Sequence, residues 1–551
     1  MANKDLFQTT RGRMLPKADA LNEAGGRAYS FDAKHALAQY ASTGCLNNTF
    51  YAAAGEQLDK VLGYCAKCEP EFIAKTAVYA RQKGYMKDLP ALLCAVLAVR
   101  SPESLSKIFD KVIDNGRMLR NFVQMIRSGA AGRKSLGSLP KRLVRQWIER
   151  RTDEQVFAAS VGNAPSLADI VKMVHPKPQT PQREALFGYL IGRSHDVEKL
   201  PFLVQEYEDF KRVAAEGKFS TTIPDVPFQM LTSMNLSTAQ WAQIAEKASW
   251  QTTRMNLNTF ARHGVFGGEI VKGTGSKLLK NIWKAMIPQD NNIIQTVCKR
   301  LRDEKEIARS KVFPYQLLAA YLNTSENDGV PRIVRNALQD AMEIATQNVP
   351  VIEGKVYVFV DVSGSMHSAI TGERKGSTSK VRCIDVAALV AATLLRKNPE
   401  TVVVPFESDV ANVSLNPRDS IMTNAEKLMK LPAGGTNCSA PMRHLNKIGA
   451  TGDLVIYVSD NESWLDSPHY GRYNGSPATE TMRQWNAFKQ RSPYAKMICI
   501  DIQPCGTTQA KERSDIINVG GFSDQVFNLI ADIVSGAGEN HWVNTIDAVV
   551  I

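Results

Sequence analysis

The chain has 551 residues, of which 44% are hydrophobic and 22% are charged, as in a typical globular protein. That length is enough for two to four domains of roughly 100–200 residues each. No run of about 18 uncharged apolar residues occurs, and the opening Met-Ala-Asn-Lys-Asp-Leu lacks the apolar core of a secretory signal. These features argue against a membrane protein and predict a cytoplasmic location.

Basic residues are concentrated in the first two thirds of the chain. The formal net charge is +12, and residues 353–551 contain 19 Lys+Arg against 21 Asp+Glu, which leaves 48 against 34, or +14, for residues 1–352. Such an asymmetry is typical of a chain in which one domain contacts nucleic acid and another does not. A basic protein without a polyanionic partner is the alternative.

The nine cysteines are an odd number, and several lie inside apolar runs, which is typical of buried thiols in a reducing compartment. Cys65 and Cys68 have the spacing of a zinc-binding pair. No second CxxC or HxxxH follows them, so we do not expect zinc there.

Residues 1–30 are polar and predict an N-terminal arm. Residues 31–348 have apolar residues at helical spacing, interrupted by short segments with Pro, Gly, Ser or Asn. The predicted helices include residues 71–82, 89–99, 102–114, 141–151, 167–174, 182–191, 239–248, 277–287 and 292–308. Many short helices in succession predict an α-solenoid of HEAT-like repeats. A globular all-α domain is the alternative, because no fixed repeat period is visible.

Residues 349–551 alternate between strands and helices. Runs of β-branched and aromatic residues predict strands at residues 355–360, 401–406, 454–458, 497–500 and 525–529. Helical periodicity predicts helices at residues 384–397, 424–430, 441–448 and 479–490. This alternation predicts a doubly wound parallel α/β sheet, with a ligand site at the carboxyl ends of its strands.

Hydroxyl and carboxyl side chains follow the predicted strands in three places. Asp361, Ser363 and Ser365 form a D-x-S-x-S loop after the first strand, Thr436 lies in a glycine-rich turn, and Asp460 follows the third strand. Hard oxygen ligands of this kind suit a divalent metal, above all Mg²⁺. Because only two of the five are carboxylates, the ion could also accept a carboxylate from a partner. For any one of these residues alone, turn formation or N-capping is the alternative.

The sequence contains no HExxH, GxSxG or P-loop motif beside this predicted site. His367 and Glu462 lie close to it in sequence, and we interpret both as solvent-facing or supporting groups. We therefore expect a docking site and not an enzyme.

Several segments resemble the Ro 60-kDa autoantigen family, whose members join a TROVE module of HEAT-like helical repeats to a von Willebrand factor A-like domain. The segments that resemble the family are Val174–Pro178, Arg254–Ala261, Lys311–Ala320, Asp361–Met366, Leu431–Ser439 and Val458–Glu462. They occur in the family's order, and the resemblance covers residues 25–551.

The resemblance implies that residues 31–348 form a monomeric ring and that residues 349–551 form the A-like domain with a metal-ion-dependent adhesion site. It implies binding of Y-like small noncoding RNAs and of single-stranded 3′ ends of misfolded RNAs. The role would be that of an RNA quality-control protein or ribonucleoprotein scaffold, with an exoribonuclease or RNA-repair protein as partner. The residues expected to contact RNA are His175, Lys177, Arg127, Arg133, Lys134, Lys141, Arg142, Arg262 and His263. For each of them alone, a solvated helix face is the alternative.

Two segments depart from the family or add to it. Ala158–Gly162 is not basic, unlike the matching stretch of vertebrate members, and Gly372–Ser379 reads as an insertion after the metal loop. Two other functions remain open. One is a metal-dependent protein-adhesion scaffold that does not thread RNA. The other is a metal-dependent nuclease, which would need more carboxylates than Asp361 and Asp460.

Overall fold

The computed structural model describes residues 15–23, 25–43, 46–48, 53–216, 223–267, 292–310, 312, 314–325, 328–349, 351–370, 372, 381–464, 478–503, 505–521, 527, 530 and 542–551. The chain divides into two compact units. The α/β unit comprises residues 1–89, 313–319 and 345–550, and the helical unit comprises residues 90–312, 320–344 and 551. None of the described helices is long and apolar enough to cross a membrane.

Strands and helices are numbered along the described chain. The strands are β1 (Ala20–Leu21), β2 (Arg27–Ser30), β3 (Val356–Asp361), β4 (Val402–Phe406), β5 (Leu454–Ser459), β6 (Lys496–Asp501), β7 (Thr507–Thr508) and β8 (Ile516–Gly520). The helices are α1 (Ala33–Thr43), α2 (Ala54–Lys67), α3 (Pro70–Gln82), α4 (Asp88–Arg100), α5 (Pro102–Val112), α6 (Gly116–Arg127), α7 (Ser138–Glu149), α8 (Asp153–Ala158), α9 (Leu167–Val174), α10 (Pro181–Ile191), α11 (Phe202–Ala215), α12 (Phe228–Leu231), α13 (Thr238–Lys247), α14 (Trp250–Arg262), α15 (Asn292–Leu301), α16 (Glu304–Ser310), α17 (Pro314–Asn323), α18 (Arg332–Ala345), α19 (Cys383–Lys397), α20 (Ile421–Met429), α21 (Ala440–Lys447), α22 (Glu480–Arg491) and α23 (Trp542–Asp547).

The main sheet of the α/β unit has the strand order β4-β3-β5-β6-β8, and all of its described pairings are parallel. Every residue of β3, β5 and β8 is buried, as expected for strands covered on both faces. The prediction of a parallel α/β fold is confirmed. Because the strands are parallel, Asp361, Phe406, Ser459 and Asp501 all lie at the same edge of the sheet.

The fifth strand of this sheet is β8, and residues 516–520 were not among the predicted strands. Asn518 and Gly520 interrupt the apolar run, which hides the strand from a hydrophobic pattern. Asn518 is nonetheless buried, and its Nδ2 donates to the carbonyl of Ala510 at 3.0 Å. Most of the predicted strand at 525–529 lies outside the described residues.

The N-terminal segment differs from the predicted polar arm. Its strands β1 and β2 form an antiparallel sheet with β7, in which Tyr29 of β2 lies opposite Thr508 of β7. Tyr29 is fully buried in a hydrophobic core with Phe359, Tyr457 and Trp485. The first 89 residues thus belong to the α/β unit, whereas the sequence predicts an arm over residues 1–30 and a helical ring over residues 31–348.

The helical unit follows the predicted succession of short helices. Side chains of Ser101, Asn115, Ser166 and Thr180 accept backbone hydrogen bonds at the N-termini of α5, α6, α9 and α10, which is how polar residues start helices. The single helix predicted at 292–308 is two helices, because Asp303 Oδ1 accepts the backbone N–H of Glu306 at 2.9 Å and caps α16. The predicted helix at 277–287 lies outside the described residues.

Candidate metal centre and basic residues

Strand β3 ends with Asp361 at the carboxyl edge of the sheet, where the side chain is fully buried. One carboxylate oxygen accepts the backbone N–H of Ser363 at 2.9 Å, and the other accepts the hydroxyl of Ser459 at 2.6 Å. Burial raises the pKa of Asp361, and these hydrogen bonds oppose the rise. The hydroxyl oxygens of Ser363 and Ser365 are 3.2 Å apart. The D-x-S-x-S loop therefore gathers three oxygen-bearing side chains, as predicted.

The turn that carries Thr436 is joined to this loop by a backbone hydrogen bond. The N–H of Gly364 donates to the carbonyl of Gly434 at 3.0 Å. Thr436 is buried, and its carbonyl accepts the N–H of Trp464 at 2.9 Å. Thr436 is thus linked on one side to the D-x-S-x-S loop and on the other to the segment after β5.

Asp460 follows β5 and is fully buried. Its Oδ1 accepts the N–H of Glu462 at 3.4 Å, whereas its Oδ2 is buried and has no hydrogen-bond partner among the described residues. Burial raises the pKa of Asp460 well above its ordinary value, and the Asp361 carboxylate raises it further. Asn461 has a left-handed backbone with φ 65°, a conformation that asparagine tolerates. Two buried carboxylates on neighbouring strands repel each other, and a cation would remove that repulsion.

The donor chemistry of this edge fits a hard divalent cation. Ser363, Ser365 and Thr436 offer buried hydroxyl oxygens, and Asp361 and Asp460 offer carboxylates, which are the ligand types that Mg²⁺ prefers. Within the described ranges, no group of three or more His, Cys, Asp or Glu could hold a metal ion. A cation here would therefore depend on the hydroxyl ligands.

Sequence reasoning missed two buried groups at this edge and left the burial of a third open. Ser459 holds Asp361, and Asp501 ends β6 beside Ser459 with neither carboxylate oxygen hydrogen-bonded within the described chain. Burial, and then the Asp460 carboxylate, raise the pKa of Asp501 well above its usual range. The signal for Asp501 was an Asp at the end of an apolar strand, as at Asp361. Glu462 is fully buried and not solvent-facing.

His367 lies at the end of the D-x-S-x-S loop and supports it. Arg382 Nη1 contacts His367 Nδ1 at 2.9 Å, and Arg382 Nη2 donates to Asp385 Oδ1 of α19 at 2.7 Å. Burial, and then the Arg382 charge, lower the pKa of His367. The contact between the His367 imidazole and the Arg382 guanidinium therefore holds the end of the D-x-S-x-S loop.

Comparisons with known proteins agree with this architecture. The family model described as the Ro60 vWA domain matches residues 355–534. The RNA-binding protein RO60 of Deinococcus radiodurans is 23% identical over 95% of this chain and 96% of its own length. The chain is thus similar to a Ro60 protein along nearly its whole length. The RNA-binding protein RO60 of Caenorhabditis elegans is 23% identical over 47% of this chain and 40% of its own length.

The fold of the chain also matches a solved structure. The crystal structure of the Deinococcus radiodurans Ro (Rsr) protein aligns with a TM-score of 0.56 and 19% identity, over 92% of this chain and all of that chain. The likeness supports the predicted fold class, a helical N-terminal region joined to an A-like domain with a parallel sheet.

The helical unit presents some of the predicted RNA-contacting residues to solvent. His175 is exposed and ends α9 with a left-handed φ of 49°. Lys177 is exposed, and its backbone N–H donates to Glu149 Oε1 at 3.2 Å. Arg145 of α7 donates to the carbonyl of Val174 at 3.0 Å, which places its guanidinium next to His175. Two basic residues, Arg145 and Lys177, therefore lie near the end of α9, together with the carboxylate of Glu149.

Other predicted RNA contacts differ in accessibility. Arg127, Lys134, Arg142 and Arg262 are exposed, while Lys141 is half-buried.

Arg133 and His263 are engaged within the helical unit. Arg133 is half-buried and donates to the carbonyls of Ser135 and Ala98, so its guanidinium holds a turn. His263 is exposed, but its ring stacks on Trp241 with the ring centroids 4.1 Å apart. Burial, and then Arg262, lower the pKa of His263, so a phosphate would meet a neutral ring.

Proposed function

We propose that this protein binds RNA through its helical unit. The observation that carries the proposal is the distribution of charge between the two units. The helical unit has 36 Lys+Arg against 25 Asp+Glu, or +11, and the α/β unit has 31 against 30, or +1. A positive surface neutralises phosphates and releases their counterions, which gives salt-dependent affinity with little sequence preference. The name RNA-binding protein RO60, carried by both relatives described above, supports the same conclusion.

The resemblance to the family leads us to propose two classes of RNA. One is Y-like small noncoding RNA, and the other is the single-stranded 3′ end of a misfolded RNA. Unpaired ends expose phosphates and bases that a duplex conceals, so a protein can select them by shape. We propose a binding role in the cytoplasm, without catalysis.

The test is a filter-binding titration with two RNAs, each at two salt concentrations. One RNA is a duplex with a single-stranded 3′ tail, and the other is the same duplex with blunt ends. We expect tight, salt-sensitive binding of the tailed RNA and weaker binding of the blunt one. Equal binding of both would contradict selection of strand ends, and no binding of either would contradict the RNA proposal itself.

We also propose that the α/β unit binds Mg²⁺ and uses it to dock a partner protein. Asp361, Ser363, Ser365, Thr436 and Asp460 would hold the ion. The unpartnered Asp460 Oδ2 and the hard oxygen donors support this assignment. A bound cation would supply a positive docking point for an acidic side chain of the partner. An exoribonuclease or RNA-repair protein is the partner that the family resemblance suggests.

A further inference from the structure

A turn near the N-terminus lies directly on the segment that carries Asp460. We call Asn22, Glu23, Gly25 and Gly26 the N-terminal turn, and residues 459–464 the acidic loop. The backbone N–H of Glu23 donates to Glu462 Oε2 at 2.8 Å, and Asn22 Nδ2 donates to the carbonyl of Ser463 at 2.9 Å. The N-terminal turn therefore holds two successive residues of the acidic loop.

The contact is close enough to restrict which residues can form it. A Cβ atom at Gly26 would lie 2.4 Å from the Ser463 carbonyl oxygen, so a side chain there would push the two backbones apart. Asn22 is 6% exposed, and its Oδ1 accepts the N–H of Gly26 at 2.7 Å. Since Asn22 bonds both its own turn and the acidic loop, one buried amide fixes their relative position.

The acidic loop is also hydrogen-bonded to two proposed metal ligands, Asp460 and Thr436. Glu462 donates its N–H to Asp460 Oδ1, and Trp464 donates its N–H to the Thr436 carbonyl at 2.9 Å. The hydroxyl of Ser463 accepts the N–H of Cys438, two residues beyond Thr436, at 3.3 Å. A shift of the acidic loop would thus move both Asp460 and Thr436.

A surface ion pair ties the N-terminal turn to α2. Lys60 Nζ lies 2.5 Å from Glu23 Oε1, with 35% and 41% of the two side chains exposed. An ion pair this exposed contributes little stability, so the buried Asn22 carries most of the constraint.

We infer that the N-terminal turn is a positioning element for the metal centre, with Asn22 and Gly26 as its positioning residues. This inference rests on the proposed metal site. If the turn favours the loop geometry that binds the ion, then the ion must stabilise the turn by the same factor, because coupling between two sites is reciprocal. The ion and the N-terminal hairpin of β1 and β2 are therefore coupled, although they are far apart in sequence.

The test measures Mg²⁺ affinity by calorimetric titration of the full chain, and backbone hydrogen exchange of residues 20–30 with and without Mg²⁺. For Asn22→Ala we expect affinity weaker by about tenfold, within the usual range of such couplings. In the unsubstituted protein Mg²⁺ should slow exchange in residues 20–30. Asn48→Ala is the control, because the exposed Asn48 accepts the Ala54 N–H in the same unit, and no hydrogen bond of the described residues joins it to residues 459–464.

The outcomes separate this inference from the metal proposal. Failure of the unsubstituted protein to bind Mg²⁺ would overturn both. Normal Mg²⁺ binding with unchanged affinity in Asn22→Ala would overturn the positioning role alone. The exchange experiment needs no substitution, so it decides the question even if Asn22→Ala does not fold. Protection of residues 459–464 by Mg²⁺ without any protection of residues 20–30 would refute the coupling.

Discussion

Replacing Asp460 by Asn should separate metal binding from the stability of the unoccupied site. Without a cation, Asp460 and Asp361 are two buried carboxylates, and the first of them has an oxygen without a hydrogen-bond partner in the described chain. The substitution keeps the shape of the side chain and removes one charge. We therefore expect Asp460→Asn to be at least as stable as the unsubstituted protein in EDTA, and to gain nothing from Mg²⁺.

The size of the effect follows from binding linkage. A ligand at about one hundred times its dissociation constant stabilises the folded state by about 2.7 kcal/mol. For a unit of about 300 residues, with an unfolding entropy of about 2.1 cal/mol/K per residue, that is a rise of roughly 4 °C in melting temperature. Thermal unfolding with EDTA and with Mg²⁺ measures the rise, which Asp460→Asn should lose.

Asp501→Asn is the matched control for this substitution. It also removes a buried carboxylate whose oxygens lack hydrogen-bond partners in the described chain, one strand away from Asp460, but it is not a proposed ligand. It should keep the response to Mg²⁺. A full Mg²⁺ response in Asp460→Asn would refute the assignment of Asp460 as a ligand.

Two further predictions concern the helical unit and the stability of the sheet. Lys177→Glu should weaken RNA binding at low salt and reduce the slope of log affinity against log salt by about 1. Lys447 of α21 is exposed and lies in the α/β unit, so Lys447→Glu changes the net charge equally and should leave the slope unchanged. Equal slopes in the unsubstituted protein and both variants would show that Lys177 does not contact RNA. Arg513→Gln tests the ion pair in which Arg513 Nε lies 2.5 Å from Asp515 Oδ1. Burial alone would raise the pKa of Asp515, but hydrogen bonds and charge from Arg513 hold it below its ordinary value of 3.8. The stability that this pair contributes is therefore present above pH 3.8 and is lost as the pH falls through the lower pKa of the folded state. Arg513→Gln should cost about 1–3 kcal/mol at pH 7 and much less near pH 2, as measured by urea unfolding, and a cost independent of pH would contradict this account.

The fold class could be predicted from the sequence because apolar periodicity is a local signal. Helix α9 has the predicted bounds, and β3 and β4 are displaced by only one residue. Strand β8 could not be found in this way, since Asn518 is buried through hydrogen bonds and not through apolar burial. The N-terminal strands were hidden for a related reason. Their burial depends on pairing with β7, almost five hundred residues later in the chain. A local pattern of apolar residues cannot indicate a partner at that distance.

The position of the candidate metal centre could be predicted from the sequence, because hydroxyl and carboxyl residues follow predicted strands that end at one edge of the sheet. The contacts that surround these residues could not be predicted. Glu462 could be predicted only as a solvent-facing or a supporting group, because the backbone N–H of Glu23 that it accepts lies more than four hundred residues away in the chain. Arg133 looked like a phosphate contact, although its guanidinium donates to two backbone carbonyls. In both cases the partner is a backbone group, which carries no sequence signal.

The pairing of β2 with β7 has a consequence for how the chain is made. The Tyr29 hydroxyl accepts the N–H of Thr479, a residue 450 positions later. On the ribosome, β2 must therefore wait for nearly the whole chain before its partner emerges, while helices between residues 90 and 344 can already fold. Closing so long a loop costs conformational entropy, and early apolar strands left alone are prone to aggregation. An isolated A-like domain that begins at residue 349 would lack Tyr29, and should be expressed with residues 15–89 to recover its core.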